Sequence, residues 1–296
     1  MKVIIDFDGT LTAEETQARP LAARCLDTLA GEILRVPRPR LAAEYEATRA
    51  RLLRAPHRHG WVVRGLLTSY CDEGAFILNT STLQALLNGQ PSYLESVAAA
   101  FPHAEYDPVA DCINHLFHRH TAELPPAFRP GARDLLEAVV ARPACQPLIL
   151  TNSLGDKVRR LLETLHLEAG AHVLGDTRQY DMDPTWPHHF PHPLLGEIQS
   201  WPVSPERSVD LRRPAYHQAL LQAAADGSYL AVVADTLSLP GALPLMMGIP
   251  FFLLRTPYTP DWCAQAVSAH PLGHVLESLV RLPEELDRLD IPGVLR

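Results

Sequence analysis

Lysine is nearly missing from this chain: Lys2 and Lys157 are the only two in 296 residues, so almost every one of the 26 basic side chains is an arginine. Basic residues are also outnumbered by 34 acidic ones, for a net charge of −8, and they form no basic stripe. That balance argues against a nucleic-acid-binding surface. Cysteine is sparse as well. Cys25, Cys71, Cys112, Cys145 and Cys263 are odd in number and never spaced C-x-x-C, which excludes a zinc ribbon or a disulfide framework and fits reduced thiols in a cytoplasmic protein. No apolar run reaches the roughly 18 residues that a membrane span requires. The opening MKVIIDFDG is too short and too acidic for a signal peptide. The expectation is a cytoplasmic protein with neither membrane nor nucleic acid as partner.

Apolar residues nevertheless make up 47% of the chain, enough for a real core. Five segments are short, continuously apolar and bounded by polar or turn residues: VIIDF (3–7), PLILT (147–151), AHVLG (171–175), YLAVVA (229–234) and PFFLL (250–254). These are the marks of parallel strands covered on both faces. Stretches of helical periodicity lie between them. GARDLLEAVVA precedes the second strand, DKVRRLLETLHL (156–167) follows it, and PAYHQALLQAAA, with Pro214 suited to a first helical turn, precedes the fourth. Strands alternating with helices predict an α/β fold, a Rossmann-like doubly wound sheet.

Two interruptions stand out. Residues 13–127 read as mostly helical, through PLAARCLDTLAGEILR, STLQALLNG and DPVADCINHLFHRHTAEL, and are too apolar for a disordered linker. They predict an inserted α-helical cap domain, leaving 1–12 and 128–296 as the core domain. The second interruption, about 180–208, is rich in proline and predicts an irregular excursion or a hairpin extension. Either a homodimer contact or the shaping of a cleft would account for it.

In an open α/β sheet, ligands sit beyond the carboxyl ends of the strands. Asp6 and Asp8 leave the first strand, Thr151, Asn152 and Ser153 the second, and Asp235 the fourth. Carboxylates and short polar groups converging from three strand ends suit a divalent cation with oxygen ligands, Mg²⁺ first, with a phosphate beside it. Two histidine groups, His115, His118 and His120 in one expected helix and His188, His189 and His192 in the excursion, lack the Cys or carboxylate companions of a zinc site.

Four segments resemble the motifs of the haloacid dehalogenase superfamily, whose members are mostly phosphatases. DFDGTLT is similar to the first motif, LILTNS to the second, LRRPAYHQAL to the third and VVADTLSLPGALPLMMGI to the fourth, in the same order. The resemblance implies that Asp6 is a nucleophile forming an aspartyl-phosphate and that Asp8 is the acid and base. It implies that Gly9 and Thr10 turn backbone N–H groups toward phosphate, and that Thr151, Asn152 and Arg213 bind it, with Arg212 as a second candidate cation. Mg²⁺ would be held by Asp6, the carbonyl of Asp8, and Asp235. The implied activity is a Mg²⁺-dependent phosphatase for a small phosphorylated metabolite, with the cap closing over the site. In the cap, Arg64, Tyr70, Asp72 and Asn79 are candidates to face it.

Two positions depart from the pattern. The third motif usually carries lysine where this chain has arginine, with Lys157 as the less favoured alternative. The fourth usually carries a second acid where this chain has Leu239 and Pro240, and the Gly before its first acid is Ala234 here. That departure keeps open a silent member that binds a phosphorylated ligand or a protein partner. A phosphotransferase shares Asp6 with the phosphatase reading, whereas a dehalogenase has no need of Asp8.

Overall fold

Val3 and Ile5 point into one apolar layer and Ile4 into another, and this alternation builds the molecule around a sheet covered on both faces. The computed structural model describes residues 1–125, 127–166, 171–192 and 194–289. Strand β1 (Lys2–Ile5) is followed by helices α1 (Glu14–Thr28) and α2 (Arg38–Leu53), a hairpin of β2 (Gly60–Val63) and β3 (Leu66–Tyr70), and helices α3 (Ala75–Asn88), α4 (Pro91–Ala100) and α5 (Pro108–Thr121). The chain then runs through α6 (Ala132–Val140), β4 (Gln146–Leu150), α7 (Gly155–Glu163) and β5 (His172–Leu174). Two hairpins come next, β6 (Phe190–His192) with β7 (Gly196–Ile198) and β8 (Ser200–Ser204) with β9 (Arg207–Asp210). Helix α8 (Pro214–Ala223), β10 (Leu230–Ala234), α9 (Ala242–Met246), β11 (Phe251–Leu254), α10 (Asp261–Ala269), β12 (Gly273–Leu276) and α11 (Leu282–Asp287) complete it.

Six strands form one parallel sheet in the order β12-β11-β10-β1-β4-β5. Ile5 lies opposite Val233 on one side and Ile149 on the other, so β1, β4 and β10 end at the same level. The residues that follow them therefore meet at one edge. Helices α6, α7 and α11 cover one face and α8, α9 and α10 the other. All five expected strands are present, and β12 joins them; its GHVL is too short and too little apolar to stand out.

The inserted region has its own apolar core, with Leu21, Cys25, Leu41, Leu83 and Leu116 all fully buried. It is not purely helical, because β2 and β3 pair within it. The register shifts between Trp61 and Val62, and the buried Gln84 amide satisfies the Val62 N–H and carbonyl at 2.9 and 2.7 Å. Helices α2 and α4 lie in stretches where charge and small residues blur the periodicity. The Pro-rich segment resolves into the two hairpins, the second of which is tied to the cap hairpin. Tyr70 Oη accepts from the Ser208 N–H at 2.8 Å and Arg207 pairs with Asp72 at 2.7 Å. The last residue of the expected helix at 156–167, position 126 in the return to the core and position 193 in the excursion lie outside the described residues. No helix among the described residues is long and apolar enough to cross a membrane.

Candidate active site

The loop from Asp6 to Thr12 leaves β1 and turns sharply at Gly9, whose φ of +86° only glycine takes without strain. Glycine is required there for a second reason. A Cβ on residue 9 would fall 2.3 Å from Asp235 Oδ2, so the first loop and the end of β10 can pack together only without one. Thr10 Oγ1 lies within donor reach of both carboxylates, 3.1 Å from Asp6 Oδ2 and 3.4 Å from Asp235 Oδ1. Arg129 braces the loop from the returning segment, donating to the Gly9 carbonyl at 2.8 Å while pairing with Glu15 at 2.9 Å.

Asp8 turns away from that pair toward the end of β4. Ser153 Oγ donates to Asp8 Oδ2 at 2.6 Å, and Lys157 Nζ lies 2.9 Å from Ser153 Oγ and 3.5 Å from Asp8 Oδ1. Lys157 sits in the first turn of α7 and is 7% exposed, so its charge is spent on this corner and not on solvent. Thr151 Oγ1 accepts from the Ser153 N–H at 3.1 Å, which leaves its own proton to donate. Asn152 Oδ1 accepts the Gln179 N–H at 2.7 Å.

Glu14, the first residue of α1, completes the acidic floor. It is 7% exposed, its Oε1 accepts the Phe76 N–H at 3.1 Å, and it lines the same cavity as Asp6, Asp8 and Asp235. Burial raises the carboxyls of Asp6, Glu14 and Asp235 well above the ordinary range. The next cause is Asp8 for Asp6, Asp235 for Glu14, and Asp6 for Asp235. The acids are thus crowded against one another with too little positive charge. Among the described residues, no three His, Cys, Asp or Glu side chains stand together as a metal set. Asp6 and Asp235, both within reach of the Thr10 hydroxyl, are oxygen donors of the kind a hard cation such as Mg²⁺ takes.

Above this floor lies a cavity of about 140 Å³. Its roof comes from α3 through Phe76, Ile77 and Thr80, and from α5 through Ile113, Asn114, Phe117, His118 and Thr121. The α5 residues fall at helical spacing on one face. Trp61, Tyr180 and Leu239 close one side, where Trp61 and Tyr180 rings lie 4.8 Å apart.

No protein-family model matches this chain, and no curated protein does. Solved structures do. The putative HAD-hydrolase YfnB of Bacillus subtilis, whose crystals hold magnesium, aligns over 97% of this chain and 98% of its own, with 13% identity and a TM-score of 0.50. The chain has the haloacid dehalogenase-like fold. A haloacid dehalogenase-like hydrolase from Streptococcus pneumoniae is similar at 12% identity and a TM-score of 0.49, over 96% of this chain and 97% of that one. A predicted phosphoglycolate phosphatase from Haemophilus somnus follows at 14% and 0.46, over 96% of each.

On this haloacid dehalogenase-like frame, Asp6, Asp8, Thr151, Asn152 and Asp235 all line one cavity, with Gly9 and Thr10 in the loop beneath. Arg213 does not reach it. Its side chain is fully buried and donates to the Gln179 carbonyl at 3.0 Å and the Thr68 carbonyl at 2.5 Å. The guanidinium is satisfied by backbone oxygens of the cap hairpin and the segment before the excursion, so the basic residue at the site is Lys157. Arg212 pairs with Asp210 at 2.5 Å. The four cap candidates are engaged elsewhere too: Arg64 with Asp181, Tyr70 with Ser208, Asp72 with Arg207, and Asn79 with Tyr45 and the Ala18 carbonyl. Of the histidines, His118 lines the cavity, while His120 bonds Thr28 and His188 stacks on Trp186. Sequence reading passed over Glu14, because an acid at the start of a helix is ordinary there, and over the aromatic roof, because core and cavity residues share one composition.

Proposed function

We propose that this protein is a Mg²⁺-dependent phosphatase that hydrolyses a small phosphorylated metabolite through an aspartyl-phosphate on Asp6. One observation carries the reading. Asp6 and Asp8 are presented to a single cavity, one sharing a hydroxyl with a second buried carboxylate, the other held by a serine and a lysine. That division is what a nucleophile and a proton carrier need.

In the first half, an Asp6 oxygen bonds to phosphorus as the ester P–O bond breaks, and protonated Asp8 gives its proton to the departing oxygen. In the second half, Asp8 takes a proton from water as that water attacks the phosphorus, releasing inorganic phosphate and restoring the Asp6 carboxylate. Ser153 and Lys157 hold Asp8 in place between the two steps. Lys157, the Thr151 hydroxyl and the backbone N–H groups of the first loop offset the charge on the phosphoryl oxygens. Asp6, the Asp8 carbonyl and Asp235 would hold Mg²⁺, with Glu14 as a further carboxylate close by; when bound, the ion neutralises phosphoryl charge and fixes the phosphate against Asp6. The magnesium in YfnB supports this choice of ion. We place the activity in the cytoplasm, supported by five cysteines that are all unpaired thiols.

A second reading, a silent protein that binds a phosphorylated ligand, draws on the segment after β10, where Leu239 lines the cavity instead of an acid. Phosphate release from an aryl phosphate and a metabolite panel, with and without Mg²⁺, separates the two. Turnover that requires Mg²⁺ and drops at least about 10³-fold in Asp6→Asn is the expected result. No release from any ester at high Mg²⁺ would overturn the phosphatase and favour the binding protein.

A further inference from the structure

The cavity's roof carries information that its floor does not. Among the described residues, neither lysine nor arginine lines it, and every acidic side chain on its wall belongs to the floor. Two arginines of the cap hairpin and its neighbour are committed elsewhere. Arg64 pairs with Asp181 at 3.0 Å and lies over the Tyr106 ring, and Arg213 is held by two carbonyls. The roof is Trp61, Phe76, Ile77, Ile113 and Phe117, broken by neutral groups such as Asn114. Burial holds His118 below the ordinary imidazole range, so at neutral pH it adds a hydrogen-bonding nitrogen and no charge.

Charge and size then limit the guest. The phosphate of an ester lodges over Asp6, where Lys157 and the bound cation meet its charge. Any second anionic group on the ester would sit under the roof with neutral donors only and no cation to meet its charge, and that desolvation cost disfavours it. An apolar protein cavity of about 150 Å³ takes up benzene; the space here is about 140 Å³ and is shared with the phosphate over the floor acids, so the body is at most one ring or a short branched chain.

We propose that the substrate is the phosphate monoester of a compact, uncharged and largely apolar alcohol, aryl or branched alkyl, and that bisphosphates and phosphorylated carboxylic acids are rejected. This rests on the phosphatase reading above and adds the substrate class. The asparagine and histidine on α5 would serve a single hydroxyl or carbonyl on such a body, and the neighbouring Trp61 and Tyr180 rings, tilted 38° to each other, would serve a ring.

Initial rates with Mg²⁺ on benzyl phosphate, 3-methylbutyl phosphate, phosphoglycolate and fructose 1,6-bisphosphate test the class. Wild-type kcat/KM should favour the first two by about 10²-fold or more, the scale on which buried polar mismatch discriminates. Asn114→Arg puts a cation under the roof and should shift the ratio toward phosphoglycolate by about tenfold. Equal or better turnover of phosphoglycolate or the bisphosphate by the wild-type protein overturns the proposal. Titration calorimetry of the same four esters on Asp6→Asn keeps the two readings apart. If nothing is turned over, tighter binding of benzyl phosphate than of phosphoglycolate still supports the substrate class, and the reverse order sinks it.

Discussion

Lys157 and Arg213 each stand in the first turn of a helix or just before it, each is buried, and each is a cation in a chain with an acidic balance. They do opposite things. At the start of α7, Lys157 points at a serine hydroxyl and a carboxylate at the mouth of the cavity. At the start of α8, Arg213 points at two backbone carbonyls, one of them in strand β3 of the inserted region. A compact ammonium on a flexible stem suits a site where charge comes and goes, whereas a planar fork with fixed donors suits permanent backbone acceptors. The comparison teaches that a buried cation is assigned by its acceptors: labile oxygens mean chemistry, carbonyls mean architecture.

Four substitutions press on this division. Lys157→Met should have the largest effect, lowering kcat/KM by about 10²–10³-fold, the scale for a group that stabilises developing charge, while melting temperature moves less than in the arginine variant. Steady-state kinetics beside a thermal melt would check it, and a Lys157→Met enzyme of normal rate would erase the contrast. Arg213→Met should instead cost about 3 kcal/mol, since two charge-assisted hydrogen bonds go, or about 5 °C in a chain of this size, with activity per folded molecule within about tenfold. Chemical denaturation followed by assays on the folded fraction reads both numbers.

Glu73→Gln asks whether the other buried anchor of the cap hairpin behaves like Arg213. Its carboxylate accepts the Ser238 N–H at 2.7 Å and the Tyr70 N–H at 2.9 Å. An amide has one accepting oxygen, so either orientation leaves one of the two N–H groups unpaired, for a loss of about 2 kcal/mol, visible as a lower denaturation midpoint at unchanged slope. The smallest effect concerns pH. Because Asp6, Glu14 and Asp235 are held above the ordinary carboxylate range, the folded chain keeps protons that the unfolded chain has released. Without metal, stability should therefore fall as pH rises above about 4, the unfolded carboxylate range. Melts across that range should slope downward in the wild-type protein and less steeply in Glu14→Gln, and Mg²⁺ should flatten both.

The sheet was legible because its strands are continuous apolar runs with polar residues at their ends, and all of the acidic floor but Glu14 was legible because Asp6, Asp8 and Asp235 follow those ends. Asp6, Thr151 and Asp235 needed only strand assignment to be brought together. Arg213 was not legible. A basic residue followed by Pro214 and a helix says where a backbone goes and nothing about which oxygens lie within reach of six further atoms of side chain. The roof was hidden for a related reason: Phe76 and Phe117 pack edge to face, one unit serving both the cap core and the cavity, and periodicity alone does not separate the two faces of a helix buried on most sides.

Having only two lysines gives this protein a property for the bench. An acylating reagent aimed at amines meets three targets, the terminal amine and the two side chains. Lys2 is tied to Asp226 at 2.8 Å and to the Ala223 carbonyl, at the opposite end of the sheet from the site. Label on the peptide that carries Lys157 therefore reports on one place only. Its rate of appearance is a clock for how often that corner opens to solvent, and slowing of that clock by a phosphorylated compound is an occupancy measurement that needs neither a chromogenic substrate nor turnover.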